Sequence, residues 1–139
     1  MNWIFYALLS ALFAGLTAVL AKLGVAHLHS NLATAIRSAL ILLLTTLIAS
    51  ATFQSGDLSA ITRRTWLLLA ASAITTGLSW LCYFRALQLG PVSKVAPLDK
   101  LSLLIAIALS CLFLGEKLTA RESLGASLLT LGALLLAWK

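Results

Sequence analysis

Long apolar stretches separated by short polar segments dominate the pattern along the chain. Crossing about 30 Å of hydrocarbon as a helix takes about 20 apolar residues, and five stretches of that kind can be marked out. They are residues 3–25, 31–53, 66–89, 92–116 and 122–138. They are rich in Leu and Ala and lack the apolar–polar alternation of barrel strands. The pattern predicts an all-α, polytopic membrane protein with five transmembrane helices.

Turn-forming and capping residues mark the same connections. Residues 54–65 form the longest loop. Gly90-Pro91 is predicted to end the third helix and begin the fourth, and Gly115 to end the fourth. Thr119 and Glu122 match the spacing of a capping box, which predicts the start of the fifth helix.

Composition agrees with a membrane environment. The chain is 61% hydrophobic and only 10% charged, against roughly 25% charged in soluble domains. Its 139 residues leave room for a single domain over 1–139. The net charge of +6 would suggest nucleic acid in a soluble protein. Here the cations lie in or beside membrane helices, so we expect a multi-pass protein of a bacterial inner membrane and no nucleic-acid partner.

The sequence carries no sign of enzyme or metal chemistry. It has no Gly-rich phosphate loop, nucleophile elbow or HExxH helix. His27 and His29 have no thiolate or carboxylate cluster beside them, so we interpret them as interfacial polar residues. We expect no enzyme, no metal and no cofactor.

Charged residues inside the predicted helices gather in one half of the bilayer. Because successive helices alternate direction, the end of helix 1, the start of helix 2, the end of helix 3 and the start of helix 4 share one face. Helical rise places Arg37 about 9 Å past residue 31, and Lys100 about 13 Å past Pro91. Five cations and one carboxylate in this half predict a substrate or coupling site: Lys22, Arg37, Arg85, Lys94, Asp99 and Lys100.

Asp99 has a short side chain that cannot reach the lipid headgroups from its depth in the membrane. Lys22 and Lys94 can reach the headgroups by snorkelling, whereas an ionised group deep in the bilayer costs at least ~2.5–3.5 kcal/mol on insertion scales. We expect Lys100 to point elsewhere and Asp99 to have a cross-helix or cross-subunit partner, with Arg85 or Arg37 the best candidates. A buried ion pair that fixes packing is the alternative to a role in transport.

Pro97 gives a second reason to expect a functional site in helix 4. Inside a helix, it leaves the carbonyl of Ser93 without its amide partner, and interrupted helices beside charged groups form the binding sites of many secondary transporters. The alternative is a first-turn proline, which requires helix 4 to begin near Ala96.

Several motifs together resemble a known family. From Gly77 onward the chain contains GLSWLCYFRALQLGPVSKVAPLDKLS, then LFLGEKLT, then GASLLTLGALLL, and helix 1 carries Gly15-Leu16-Thr17-Ala18 before Lys22. In this order and spacing they resemble the EamA-type domain of the drug/metabolite transporter superfamily, over essentially the full chain. The Leu-Gly-Pro turn and the Leu-Gly-Glu-Lys helix end are the most specific of these motifs.

The resemblance implies one repeat of a larger transporter. Most members of the superfamily have ten helices built as two five-helix repeats, and this chain resembles one inverted-repeat unit. Because five is odd, a second repeat in the same chain would be inverted, and a lone repeat can reproduce this arrangement only by pairing with an oppositely inserted copy. We therefore expect a homodimer, in an antiparallel arrangement.

The distribution of cations fits dual insertion. One side holds Arg63, Arg64, Lys117 and Arg121; the other holds Lys22, Arg37, Arg85, Lys94, Lys100 and Lys139. If the two deepest cations, Arg37 and Lys100, are left out, each side of the membrane has four cations. A chain without a positive-inside bias has no specified orientation in the membrane.

The resemblance also suggests roles for individual helices. Helix 5 is expected to make the dimer contact through Gly125 and Gly132, since small residues let membrane helices approach closely. Helices 1, 3 and 4 are expected to form the cavity walls. Its lining would include Trp80, Tyr83, Phe84 and Pro97, although packing or lipid-facing roles for the aromatic residues stay open.

The leading hypothesis is a secondary transporter of a small metabolite or drug-like solute, working by alternating access as a dimer. Its positive lining would favour an anionic or zwitterionic substrate. The alternative is a non-transporting accessory or lipid-handling membrane protein that binds phosphate-bearing headgroups. A third possibility is a half-transporter that functions only with a different five-helix partner.

Overall fold

The chain is almost entirely helical in a computed structural model, which describes residues 2–52 and 61–138. The helices are α1 (Trp3–Val25), α2 (Ser30–Thr52), α3 (Arg63–Leu89), α4 (Val92–Asp99), α5 (Ser102–Leu109) and α6 (Ala120–Ala137), with a π-helical segment, Ser110–Leu114, after α5. Five spans are long and apolar enough to cross a membrane, the fourth being Val92–Leu114. The predicted all-α, five-span architecture is confirmed. Most of the predicted loop at 54–65 lies outside the described residues, as does Lys139.

The predicted boundary between the third and fourth spans is confirmed at the Gly90-Pro91 turn. α3 ends at Leu89, and Pro91 is the extended residue before α4. The Pro91 carbonyl accepts hydrogen bonds from the amides of Lys94 and Val95, at 3.1 and 3.0 Å. Proline suits this position because the missing amide has no partner at the start of a helix in any case.

Two helices begin earlier than predicted because a threonine caps each of them. The Thr62 hydroxyl accepts from the Thr65 amide at 3.2 Å, so α3 starts at Arg63. The predicted capping box is confirmed at α6: Thr119 Oγ1 accepts from the Glu122 amide at 3.3 Å, and Glu122 Oε2 accepts from the Thr119 amide at 2.8 Å. Each cap satisfies amides that the first helical turn leaves without a partner.

The fourth span is interrupted near its middle. Pro97 is the sixth residue of α4, so the first-turn alternative for this proline is wrong. α4 ends at Asp99, and the next amides, those of Lys100 and Leu101, bond to the carbonyls of Pro97 and Leu98 at 3.1 and 3.0 Å. These i to i+3 bonds form a tighter turn than the α-helix. Asp99 and Lys100 therefore lie at the interruption itself.

The end of the fourth span also departs from a regular helix. The π-helical segment after α5 ends at Gly115, whose φ of +70° is left-handed. Glycine adopts this conformation without the steric penalty that other residues carry there. The prediction that Gly115 ends this helix is confirmed, while the π-helical turn before it has no counterpart in the sequence prediction.

The chain divides into two compact units, residues 1–22 with 89–139 and residues 23–88. In the first unit, the buried apolar side chains are the small ones of Ala18 and Ala133; in the second, Val25, Phe84 and Leu87 are buried. Most large apolar side chains on every span are exposed, as lipid-facing helices require. The single domain over 1–139 stays a prediction.

In the first unit, α4 packs against α6 beside an apolar cavity. The cavity is about 350 Å³ and is lined by Pro97, Leu128, Leu129, Gly132, Ala133 and Leu136. Pro97 and residues of α6 line this apolar cavity, and a place for Pro97 in a substrate cavity walled by helices 1, 3 and 4 stays a prediction. Gly132 belongs to its wall within the chain, and a contact of Gly125 and Gly132 with a second chain stays a prediction.

Candidate functional site

In the second unit, an arginine lies against the aromatic face of α3. The guanidinium carbon of Arg37 is 4.1 Å from the centroid of the Trp80 ring and 5.6 Å from that of Phe84. Trp80 and Phe84 are four residues apart and therefore share one face of α3. Three residues that the sequence singled out are thus brought together, and we refer to Arg37, Trp80 and Phe84 as the arginine–aromatic site; a lining role for Tyr83 stays a prediction.

The arginine–aromatic site contains a positive charge that no carboxylate in the described residues of its own unit balances. Residues 23–52 and 61–88 contain no Asp or Glu, and within these ranges no side chain or carbonyl is a hydrogen-bond acceptor of the half-buried Arg37. A cation–π contact contributes about 0.5–2 kcal/mol, whereas an arginine at the centre of a membrane helix costs about 2.5–3.5 kcal/mol on insertion scales. Stacking therefore offsets only part of this cost, and a bound anion would offset more of the cost.

Arg85, the other arginine predicted at this site, has a different environment. Its Nη1 donates to Oε1 of Gln88 at 3.1 Å. The Gln88 amide nitrogen in turn donates to the carbonyls of Val25, at 3.1 Å, and Leu28, at 2.6 Å. Val25 is the last residue of α1, so Gln88 satisfies carbonyls that the end of a helix leaves open. Arg85 is thereby part of a structural network that holds the connection between α1 and α2 against α3.

Gln88 is a residue that the sequence analysis missed. The available signal was a polar amide in the last turn of an apolar helix, two residues before the Gly90-Pro91 turn. A side-chain amide at membrane depth needs acceptors, and helix ends provide them. Which carbonyls it would reach depends on the packing of α3, which the sequence pattern does not specify.

In the first unit, two predicted site lysines bond to backbone carbonyls. Lys22 Nζ donates to the Gly90 carbonyl at 2.9 Å, and Lys94 Nζ donates to the Trp138 carbonyl at 3.3 Å. Gly90 follows the last residue of α3 and Trp138 the last residue of α6. A cation at the carbonyl end of a helix also interacts favourably with the helix dipole. Both lysines therefore have a structural partner inside the chain.

Asp99 and Lys100 form an ion pair at the interruption of the fourth span. Lys100 Nζ lies 4.0 Å from Asp99 Oδ2. The expectation that Lys100 points away from Asp99 is wrong, because the tight turn after α4 brings these two adjacent side chains together. Within its own unit, Asp99 thus has Lys100 as an ion-pair partner, and a cross-helix or cross-subunit partner such as Arg85 or Arg37 stays a prediction.

This ion pair is loose and accessible. The Asp99 side chain is 39% exposed and that of Lys100 68%. Because the pair joins two adjacent residues of one span, it does not connect this helix to another element.

The chain is similar to known membrane transporters over almost its whole length. The model of the EamA-like transporter family matches residues 1–138. A Sinorhizobium protein named as an uncharacterised transporter in the cobO 3' region is 54% identical over 136 residues, covering 98% of this chain and 96% of that protein. A Yersinia pestis protein named as a probable 4-amino-4-deoxy-L-arabinose-phosphoundecaprenol flippase subunit, ArnE, is 34% identical over 70 residues, or 50% of this chain and 61% of that one. No solved structure matches the chain.

Proposed function

Because the chain belongs to the EamA-like transporter family, we propose that it is a secondary transporter that moves a small metabolite or drug-like solute by alternating access. The family and the names of the relatives point to membrane transport and not to an enzyme. The observation that carries the proposal is the interrupted fourth span, with Asp99 and Lys100 at the break. Discontinuous helices of this kind bind substrates and coupling ions in many secondary transporters.

Asp99 is proposed as the coupling or gating carboxylate. It is the last residue of α4, partly exposed, and opposed by a single lysine at 4.0 Å. Protonation or ion binding at Asp99 would release Lys100, and substrate binding to Lys100 would release Asp99. Such an exchange of partners links the two binding events, as a coupled transporter requires.

The proposed substrate is anionic or zwitterionic. Within the first unit, Lys22, Lys94 and Lys100 outnumber Asp99 among the predicted site residues, and within the second, Arg37 and Arg85 face no acidic residue in the described part. A site in low-dielectric surroundings with an excess of one charge favours ligands of the opposite charge.

The proposed assembly is an antiparallel homodimer in the bacterial inner membrane. Its support is the odd number of spans and the absence of a positive-inside bias, with the small residues Gly125 and Gly132 on α6 as the dimer contact. A reporter fused after the last span is expected on both sides of the membrane. Detection on one side only, with the native charges retained, would contradict dual insertion.

Replacing Asp99 by Asn tests the transport proposal. The solute that raises the melting temperature most, in a screen of anionic, zwitterionic and cationic metabolites, identifies a ligand by mass action. Its gradient-driven uptake into proteoliposomes is expected to be abolished in Asp99→Asn. The matched control is Glu116→Gln, which neutralises an exposed carboxylate beyond the end of the fourth span. Unchanged uptake by correctly folded Asp99→Asn would contradict the proposal.

A lipid-handling role is the second candidate, and one relative favours it. The ArnE relative is named as a probable flippase subunit for 4-amino-4-deoxy-L-arabinose-phosphoundecaprenol, a lipid that carries a phosphate group. A basic pocket within one leaflet suits a phosphate-bearing headgroup. Lipid that co-purifies through gentle washing and is lost on replacing Arg85 or Lys100 would support this role over solute transport. The word subunit also keeps a different five-helix partner open, which co-expression with a homologous chain would reveal.

A further inference from the structure

The arginine–aromatic site has a geometry suited to a negatively charged oxygen ligand. The guanidinium carbon of Arg37 lies over the Trp80 ring, 4.1 Å from its centroid. A cation–π contact uses none of the guanidinium N–H groups as donors to an oxygen, and these groups form a fork that matches the two oxygens of a carboxylate or phosphate. We infer that Arg37, held on Trp80 and Phe84, binds the oxyanion of the molecule that this protein moves, a phosphate or a carboxylate.

The surroundings of Arg37 leave these donors to a ligand. Thr34 and Ser38, which flank it on α2, direct their hydroxyl protons to the carbonyls of Ser30 and Thr34, at 2.9 and 2.8 Å. The described part of the same unit, residues 23–52 and 61–88, supplies no carboxylate for a competing ion pair. Phe84 is buried and Trp80 half-buried, so the ring platform is fixed while the guanidinium stays partly accessible.

Arg85, in the same unit, is an arginine whose guanidinium is hydrogen-bonded within the fold. Its guanidinium donates to Gln88, whose amide is bonded to two backbone carbonyls. Arg85 is therefore constrained by the fold, and Arg37 is the arginine of the pair that is positioned to recognise a ligand. The inference names the chemical group of the substrate that the proposed transporter recognises. It rests on the proposed function only in taking the bound molecule to be the one transported.

The oxyanion has two possible sources, a water-soluble solute and a lipid headgroup. Both present the same group to Arg37, and they differ in whether the oxyanion is tethered to the bilayer. Binding is therefore measured with two probes. The first is inorganic phosphate added to the full-length protein in phosphatidylcholine nanodiscs. The second is the protein in nanodiscs that contain phosphatidic acid, compared with phosphatidylcholine alone.

The test compares wild type with Arg37→Gln and Arg37→Lys. Loss of a charge-assisted bidentate contact is expected to weaken binding about tenfold or more in Arg37→Gln. Arg37→Lys retains the charge but not the fork, and a loss of about three- to tenfold is expected. This second variant keeps the test informative if Arg37→Gln does not fold. Arg64→Gln, at the other end of α3 and exposed, removes the same charge and is expected to bind as wild type does.

Each outcome has a defined meaning. Arg37-dependent binding of inorganic phosphate, with or without binding of phosphatidic acid, assigns the site to an oxyanion on a soluble molecule, and Arg37-dependent binding of phosphatidic acid alone assigns it to a lipid headgroup. Binding of neither probe, or equal binding in wild type and both Arg37 variants, overturns the inference. The assay does not depend on transport: unchanged uptake in Asp99→Asn together with Arg37-dependent phosphate binding contradicts only the proposed function, and lost uptake in Asp99→Asn without Arg37-dependent binding contradicts only this inference.

Discussion

The two compact units use their membrane-embedded cations differently. In the unit of residues 1–22 and 89–139, Lys22 and Lys94 donate to the carbonyls of Gly90 and Trp138. In the unit of residues 23–88, Arg37 lies on the faces of two aromatic rings. The lysines donate to backbone carbonyls of the chain, whereas we propose that Arg37 keeps its N–H donors for another molecule.

This difference separates structural charges from charges available for function. A charge inside a membrane helix is costly and commonly functional, but the cost alone does not distinguish the two roles. The hydrogen-bond acceptor of the charge distinguishes the two roles. A donor bonded to a helix-end carbonyl stabilises the fold, and removal of that donor is expected to lower the free energy of unfolding. A donor without an acceptor in the protein is expected to affect ligand binding more than stability.

Gln88→Leu is expected to have the largest effect on stability. It removes the bonds from Gln88 to the carbonyls of Val25 and Leu28 and the bond from Arg85 to Gln88. Since an intramolecular hydrogen bond contributes about 0.5–1.5 kcal/mol, we expect a loss of about 2–4 kcal/mol in the free energy of unfolding, measured in mixed micelles. Thr75→Ala is the control on the same helix, because the Thr75 hydroxyl bonds only to its own helix. Equal stability of Gln88→Leu and this control would show that the network is not structural.

Lys22→Met is expected to have a smaller effect. It removes the 2.9 Å bond to the Gly90 carbonyl but keeps most of the apolar stem, so the expected loss is about 1–3 kcal/mol of unfolding free energy. The matched control, Lys117→Met, changes an exposed lysine in the link before α6. If both variants unfold alike, Lys22 does not stabilise the turn at Gly90, and the contrast between the lysines and Arg37 weakens.

Thr119→Ala provides the smallest effect and a scale for the others. It removes the side-chain half of the capping box of α6, and capping residues contribute about 1 kcal/mol. Thr119→Ser keeps the hydroxyl and is expected to restore wild-type stability, by the same measurement. A loss in Thr119→Ser equal to that in Thr119→Ala would mean that the threonine methyl, and not the cap, is responsible.

Much of the fold could be predicted from the sequence because its signals are local. Five apolar stretches, the Gly90-Pro91 turn, the left-handed Gly115 and the Thr119–Glu122 capping box each depend on residues within one turn of each other. The predicted starts of α3 and α6 were late, because capping threonines extend these helices beyond the apolar stretch.

The site could be predicted in composition but not in pairing. The six charges were predicted from helix direction and depth and the three aromatic residues with the family resemblance, yet the bond of Lys22 to the Gly90 carbonyl depends on a tertiary contact. The pair of Asp99 with Lys100 was missed because adjacent residues point apart in a regular helix, and the tight turn after α4 removes that separation. Pro97 indicated an interruption, but the break follows one turn later.

The most direct test of the contrast between the units is the melting temperature of wild type and Arg37→Lys, each with and without inorganic phosphate. Lysine can keep a cation–π contact with Trp80 but cannot form the bidentate fork. We predict equal melting temperatures without phosphate and a rise with phosphate in wild type only. A lower melting temperature of Arg37→Lys without phosphate, or an equal rise in both proteins, would contradict the assignment of Arg37 to ligand binding.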